Sequence, residues 1–463
     1  MAPIQMKPPG ATASTGPWRS CLGKTRNDYL CRYMSEKKKI AFHTLGCKLN
    51  FSETSSISRQ FGGEDYEQVE FSEAADIYVI NSCSVTKHAE KTCKALIRKA
   101  MKTNPNAHVA VIGCFSQINP EELRSIEGVD VVLGNADKFN LFEHIKDLDK
   151  SRAPEAPVDV RVHEPEAFIP SWSSDDRTRS FFKIQDGCDY FCSYCTIPLA
   201  RGHSRSNTIA ATLETAKSIA GTNMKEVVLS GVNIGDFGKL NNETFYDFLK
   251  ELIKIEGIAR IRISSVEPDL LHDEIIELVA AEPKLMPHFH IPLQSGSDAV
   301  LKAMGRHYDT ALFASRVEKI RSLMPHACIA ADLIVGFPAE TEDLFGESMD
   351  FVGNTEISYI HVFSYSEREN TRALNIKDSV PPTQRHHRSR QMQQLSDLKK
   401  QAFYLNNKGY KARVLWEKDN TQGFMHGFTD NYIKVKTPYD PRRVNQIEDI
   451  LLNHLDSDGV YLI

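Results

Sequence analysis

Gly187-Cys188-Asp189-Tyr190-Phe191-Cys192-Ser193-Tyr194-Cys195 decides how the rest of this chain reads. Its cysteines stand in a CxxxCxxC spacing. Three thiolates on so short a loop can occupy three corners of a four-iron cluster. The fourth iron is then left without a protein ligand, open to the amino and carboxylate groups of a small molecule. Ordinary electron-transfer clusters take four cysteines. Structural zinc also prefers four ligands, and zinc with His203 as the fourth is the competing reading.

Around this loop the sequence alternates strand and helix. Apolar runs at 181–184, 226–229, 260–264, 288–292, 329–335 and 359–363 read as strands, with helical patterns between them at 211–220, 244–255 and 342–352. Six parallel strands with crossover helices make an incomplete barrel, a relative of the eight-stranded form. Its sites belong on the loops after the strands, and the cysteine loop follows the first of them. Gly231, Ser264, Ser265, Glu267, Gln294 and Gly336 fall at other strand ends.

Upstream, strands at 40–44, 76–81, 108–112 and 129–133, with a helix at 87–101, describe a separate parallel α/β domain over 38–150. Cys47, Cys83 and Cys114 each follow one of its strands, so three more thiols can converge at one sheet edge. Cys93 and Cys328 lie in ordinary helix and strand patterns and read as plain buried thiols. Residues 151–178, with Pro154, Pro157, Pro165 and Pro170, have the composition of a linker. The barrel takes 179–400. A basic helical stretch near 384–405, including Arg385, Arg388, Arg390, Lys399 and Lys400, is either a solvated face or a seat for phosphates. Short strands at 409–417, 423–428, 431–437 and 460–462 make a small all-β module over 401–463. Small barrels of this kind often hold nucleic acid.

Composition sets outer bounds. A chain of 463 residues predicts two or three domains. With 41% hydrophobic and 25% charged residues it has globular composition. No run approaches the roughly 20 apolar residues that span a bilayer, so no membrane partner is expected. The net charge of −5 lends no support to a nucleic-acid partner, although one local basic face is enough for one. Clustered cysteines favour metal binding over disulfides and a cytoplasmic setting. Residues 1–33 are proline-rich and basic without an apolar core. They read as a dispensable leader ahead of a working start at Met34, with Cys21 and Cys31 assigned no role.

The cysteine loop resembles the signature of radical S-adenosylmethionine enzymes. Over 40–463 the chain more closely resembles the methylthiotransferase family. The segments that carry this likeness are Thr44-Leu45-Gly46-Cys47-Lys48-Leu49-Asn50, Asn81-Ser82-Cys83-Ser84-Val85-Thr86 and Gly113-Cys114. In the barrel they are Cys195-Thr196-Ile197-Pro198-Leu199-Ala200-Arg201-Gly202, Ile291-Pro292-Leu293-Gln294-Ser295-Gly296 and Phe363-Ser364-Tyr365-Ser366. The resemblance implies two [4Fe-4S] clusters. Cys188, Cys192 and Cys195 would hold the catalytic one, and Cys47, Cys83 and Cys114 an auxiliary one that carries an added sulfur.

By the same resemblance, one S-adenosylmethionine methylates that sulfur and a second yields a deoxyadenosyl radical. The radical takes hydrogen from an unactivated carbon, which then joins the methylated sulfur. Tyr194, Gly231, Ser264, Glu267 and Gln294 would face S-adenosylmethionine. Arg201 would balance carboxylate or cluster charge, and Asp332 would be structural. The β module resembles the small barrel that the family uses to grip its substrate. Expected partners are a tRNA anticodon stem-loop, a sulfur source, and an electron donor such as flavodoxin or ferredoxin. The wording at 44–50 and 192–202 resembles the branch acting at C2 of threonylcarbamoyladenosine 37. The isopentenyladenosine branch more often has Gln-Met after the first auxiliary cysteine. That branch, a ribosomal-protein aspartate as substrate, and a non-catalytic metal-bound RNA-binding protein are the alternatives.

Overall fold

The structure, a computed structural model, describes residues 37–63, 65–146, 159–174 and 178–463. The 1–33 leader with Cys21 and Cys31, the start at Met34, and linker residues 151–158 and 175–177 lie outside the described residues.

Six parallel strands open the described chain: β1 (Lys38–Thr44), β2 (Tyr66–Val69), β3 (Ile77–Ser82), β4 (His108–Gly113), β5 (Val131–Leu133) and β6 (Asp159–Arg161). Their order in the sheet is β2-β1-β3-β4-β5-β6. The middle strand β3 is buried along its whole length, as a parallel strand covered on both faces must be, and its near-continuous apolar run follows from that. Three helices matter below: α1 (Lys48–Ser58), α2 (Lys87–Thr103) and the short α3 (Cys114–Ile118). Thr86 caps α2 by accepting a hydrogen bond from the Ala89 N–H, and Cys93, Ile97 and Ala100 form its buried stripe. Cys93 is thus a packing residue.

The composition of 151–178 reads as linker, yet its described part is ordered into strands. β6 extends the first sheet beside β5. β7 (Ser171–Trp172) pairs antiparallel with the first barrel strand, β8 (Arg179–Lys183). The barrel continues through β9 (Glu226–Ser230), β10 (Arg260–Ile263), β11 (His288–Gln294), β12 (Cys328–Val335) and β13 (Tyr359–Ser364). β8, β9 and β10 pair in parallel, as do β11, β12 and β13. Two isolated parallel bridges, Ser265–His290 and Ile261–Leu285, join the halves. One apolar core runs beneath all six strands. The five-residue helix α4 (Ile197–Arg201) follows the cysteine loop.

The long helix α5 (Pro382–Asn406) leads to β14 (Lys411–Trp416), β15 (Phe424–Thr429), β16 (Lys434–Pro438), β17 (Ile447–Leu451), β18 (His454–Leu455) and β19 (Tyr461–Leu462). These form a half-barrel sheet ordered β17-β14-β15-β16-β19-β18. β17 and β18 escape a reading of the sequence because each is a short edge strand with little alternating apolar pattern. Reading α5 as a phosphate seat is corrected at three of its basic positions. Arg385 and Arg388 are buried, pairing with Glu367 at 2.5 Å and Glu340 at 2.8 Å. Lys399 donates to the Gly353 and Thr355 carbonyls. A buried guanidinium needs a carboxylate, and the barrel supplies them.

The half-barrel sits at the amino ends of the barrel strands, opposite the cysteine loop. Glu226, fully buried, accepts from Arg260 at 2.7 Å and Arg262 at 2.8 Å. Those guanidiniums also donate to the carbonyls of Phe428, Thr429 and Asp430. Burial pushes the Glu226 carboxyl up, but Arg260 and Arg262 prevail and hold it at about 2. The group therefore adds stability above the ordinary carboxylate range, and this is lost as pH falls toward about 2. Glu226→Gln should cost about 3–5 kcal/mol by leaving two buried guanidiniums uncompensated. Chemical denaturation of the variant beside the parent measures this.

Candidate active site

Both cysteine trios are assembled at carboxyl ends of parallel strands. Cys47 follows β1 and precedes α1, Cys83 follows β3, and Cys114 opens α3 directly after β4. Gly46 must be glycine. Its φ is +93°, and a Cβ there would stand 2.9 Å from the Cys83 sulfur. Motif asparagines and serines stitch the three loops together. Asn50 Nδ2 donates to the Leu45 carbonyl at 2.7 Å and to the Ser82 carbonyl at 3.1 Å. Ser82 Oγ donates to the Ile112 carbonyl at 2.6 Å and accepts from the Phe115 N–H at 3.2 Å.

The cysteine loop of the barrel is held equally firmly. Gly187 has φ of +72°, and a Cβ there would lie 1.9 Å from the His203 carbonyl oxygen. Backbone N–H groups of Tyr190 and Ile197 point at the sulfurs of Cys188 and Cys195, at 3.5 and 3.4 Å. The Arg306 guanidinium donates to the Cys192 sulfur at 3.1 Å. All eight described cysteines are free. Burial pushes the Cys83, Cys188 and Cys195 thiols up to about 12. Binding iron as thiolates therefore means releasing protons. His203, the fourth ligand of the zinc alternative, has an exposed ring bonded through Nδ1 to Asp189 at 2.8 Å.

Helix α4 lies between the trios. It starts two residues after Cys195 and ends on Arg201, spanning about 7–8 Å at helical rise. Arg201 is buried and donates to Asn50 at 2.6 Å, to Glu53 at 3.0 Å and to Asp186 at 2.9 Å. Lys138 and Lys183 also meet Glu53, at 2.5 and 2.9 Å, and Arg205 meets Asp186 at 3.3 Å. Burial raises the carboxyls of Glu53 and Asp186, but Arg201 and the lysines overcome it and hold both well below the usual range. Four buried cations thus face two buried carboxylates. Excess positive charge beside Cys47 and Cys114 suits an anionic occupant, such as an iron core wrapped by thiolates. Asn135 adds a contact to the Cys114 sulfur at 3.6 Å and to the Ala200 carbonyl of α4 at 2.7 Å.

A cavity of about 240 Å³ opens between the two cysteine sites. Val85 and Thr86, just after Cys83, line one side. Tyr194, Cys195, Gln294 and Asp332 line the other. Gln294 has φ of +63°. Asp332, read as structural, is thus a cavity residue that accepts from His290 at 2.9 Å. Gly231, Ser264 and Glu267 are not in this lining. Gly231 packs on Gln185, whose Oε1 accepts from the N–H groups of Val232 and Asn233. The hydroxyl that meets a partner after β10 belongs to Ser265, bonded to His290. Glu267 pairs with Arg306, and burial raises its carboxyl to about 7 against that partner.

Nothing in the sequence singles out Arg306, Glu53, Lys138 or Lys183. The only local signal for Arg306 is Met304-Gly305-Arg306 closing a short helix, which is too common to carry weight.

An open-sided parallel barrel with a three-cysteine loop at its carboxyl end is the architecture of a radical S-adenosylmethionine enzyme. Residues 182–352 match the Radical SAM superfamily, and residues 39–134 match a model described as uncharacterized protein family UPF0004. The chain is 37% identical over 406 residues to the threonylcarbamoyladenosine tRNA methylthiotransferase MtaB of Bacillus subtilis, covering 86% of this chain and 89% of that one. It is 34% identical to the protein of the same name from Thermotoga maritima, covering 91% and 96%. It is 33% identical to a Clostridium botulinum tRNA-2-methylthio-N(6)-dimethylallyladenosine synthase, covering 80% and 83%. The radical S-adenosylmethionine methyltransferase TsrM of Kitasatospora setae has a similar fold. It aligns with a TM-score of 0.51 at 13% identity over 71% of this chain and 73% of that one. The chain belongs to the radical S-adenosylmethionine methylthiotransferase family. It is an enzyme of that type, working with S-adenosylmethionine and a [4Fe-4S] cluster. Among the described residues, no helix is long and apolar enough to cross a membrane.

Proposed function

We propose that this enzyme places a methylthio group at C2 of threonylcarbamoyladenosine 37 in tRNA. Cys188, Cys192 and Cys195 hold one [4Fe-4S] cluster, and Cys47, Cys83 and Cys114 hold a second. The observation that carries this reading is the cavity bordered on one side by the residues after Cys83 and on the other by Tyr194 and Cys195. A product that joins sulfur from one site to a carbon attacked from the other needs such shared space. Four relatives of that name, at 34–37% identity, favour threonylcarbamoyladenosine over the isopentenyl-type substrate named for a relative at 33%.

Bound clusters and cofactor supply one-electron cleavage of S-adenosylmethionine and the sulfur that is transferred. The chain's own residues position and shield. Arg306 donates to Cys192, which stabilises its thiolate, and the N–H groups of Tyr190 and Ile197 do the same for Cys188 and Cys195. Tyr194, half-buried and set edge-on to Phe337, walls the cofactor side, with Gln294 beyond it. Gly231, Ser264 and Glu267 flank the same barrel mouth. An anticodon stem-loop is positioned by phosphate contacts on the half-barrel, and the modified base leaves its stack to enter the cavity. Electrons come from a small carrier such as flavodoxin or ferredoxin.

Mass spectrometry of tRNA nucleosides from a deletion strain tests the reaction. The methylthio-threonylcarbamoyl nucleoside should disappear and return on complementation. Its persistence, with loss of the methylthio-isopentenyl nucleoside instead, would move the enzyme to the other branch.

A further inference from the structure

Lys48 is the first residue of α1, directly after Cys47, and is half-buried. Among the described residues its ammonium has no hydrogen-bonding or ion-pairing partner. Its charged surroundings are Arg179, Arg262 and Asp332 of the barrel, with His288 there and Cys47 beside it in the first domain. Arg179 is already paired with Glu417 at 2.9 Å, and Arg262 with Glu226 at 2.8 Å. Asp332 is committed to His290 at 2.9 Å. His361 sits opposite Asp332 in the β12–β13 register and within electrostatic reach of Lys48. Its ring touches the rings of His290 and Tyr359, at 5.6 and 5.3 Å, and its nitrogens have no hydrogen-bond partner among the described residues.

A cation withdrawn from water without its own acid costs stability unless something anionic joins it. Here the unmatched cation stands at the first auxiliary cysteine and near Asp332, which lines the cavity between the two cysteine sites. Surrounding arginines disfavour a metal ion at this place, although His290, Asp332 and His361 bring donor atoms within 4.8 Å of one another. The threonylcarbamoyl group ends in a carboxylate and carries a hydroxyl, whereas an isopentenyl group is a hydrocarbon. We propose that Lys48, with His361 in electrostatic reach of it, receives the carboxylate of the threonylcarbamoyl group, and that this pair selects the substrate. The inference rests on the reaction proposed above. A charge-assisted contact of this kind rejects a ligand that lacks the charge, because the cation is then left unpaired.

The test uses reconstituted holoenzyme and two anticodon stem-loops. One bears threonylcarbamoyladenosine and the other its methyl ester. With the parent enzyme, the ester should lower kcat/KM about 10- to 100-fold, the range of a hydrogen bond to a charged group. Lys48→Gln should lower kcat/KM for the acid by a similar factor and leave the ester unchanged, with most of the effect in KM. Iron content and deoxyadenosine formation should match the parent. Equal losses on acid and ester, or no loss on either, would overturn the assignment. Should Lys48→Gln lose iron, His361→Asn carries the same comparison away from the cysteines: a loss confined to the acid supports the pair, and equal or absent losses overturn it. A parent enzyme that modified only the isopentenyl stem-loop would instead refute the underlying substrate reading.

Discussion

Anaerobic reconstitution of the parent chain should give about eight irons and eight sulfides per chain, and replacing Cys188, Cys192 and Cys195 together by alanine should remove about half. The expectation follows from how the trios are built. Cys47, Cys83 and Cys114 follow strands of the first sheet, with loops fastened by Asn50 and Ser82. None of those bonds involves the barrel loop. The barrel trio is fastened separately, through the Met304 and Ala303 carbonyls that accept from Ser193, and through Gly187 against His203. Emptying one site should leave the other loaded. Full iron content in the triple variant would refute the assignment of Cys188, Cys192 and Cys195. Loss of all iron would show that the two sites assemble as one.

The complementary variant separates chemistry from content. With Cys47, Cys83 and Cys114 replaced by alanine, methylthio product should fall below detection while cleavage of S-adenosylmethionine to deoxyadenosine continues at a reduced rate. Arg306, Glu267 and Tyr194, which surround the barrel loop, remain in place in that variant. The reduced rate has a physical source. Arg201, Lys138 and Lys183 would lose their anionic neighbour at the auxiliary site, and α4, which carries Arg201, begins close to Cys195. Quantifying deoxyadenosine and modified nucleoside in the same reaction decides it. Loss of both products with the barrel cluster intact by spectroscopy would contradict the division of roles.

Much of this is legible without any tertiary structure. The strands that position both trios stand out because buried parallel strands are short, dense apolar runs and helices carry a longer period. The edge strand β2 does not, because Tyr66-Glu67-Gln68-Val69 alternates little and exposes its centre. The strands β6 and β7 are hidden by proline-rich composition, since local composition describes how chain is connected and not what it pairs with. The basic run on α5 misleads for a related reason. Charge along a sequence does not say which side of a helix faces solvent, and Arg385 and Arg388 turn inward to acids on the barrel.

The strands that lead into the cysteine loops, the two domains of parallel sheet and the six candidate cysteines are legible in the sequence, because backbone periodicity and ligand spacing are local properties. What stands between the cysteines comes from contacts far apart in the chain. Glu53 and Arg201 meet across 148 positions, Arg306 reaches Cys192 across 114, and Lys48 of the first domain stands near Asp332 of the barrel with no partner among the described residues. Buried charges pair with whichever opposite charge the fold brings within reach, because desolvation makes every unpaired one costly. No local pattern encodes that choice, so the charge balance around the cysteines and the cavity beside Cys195 become readable only once the two sheets are in contact.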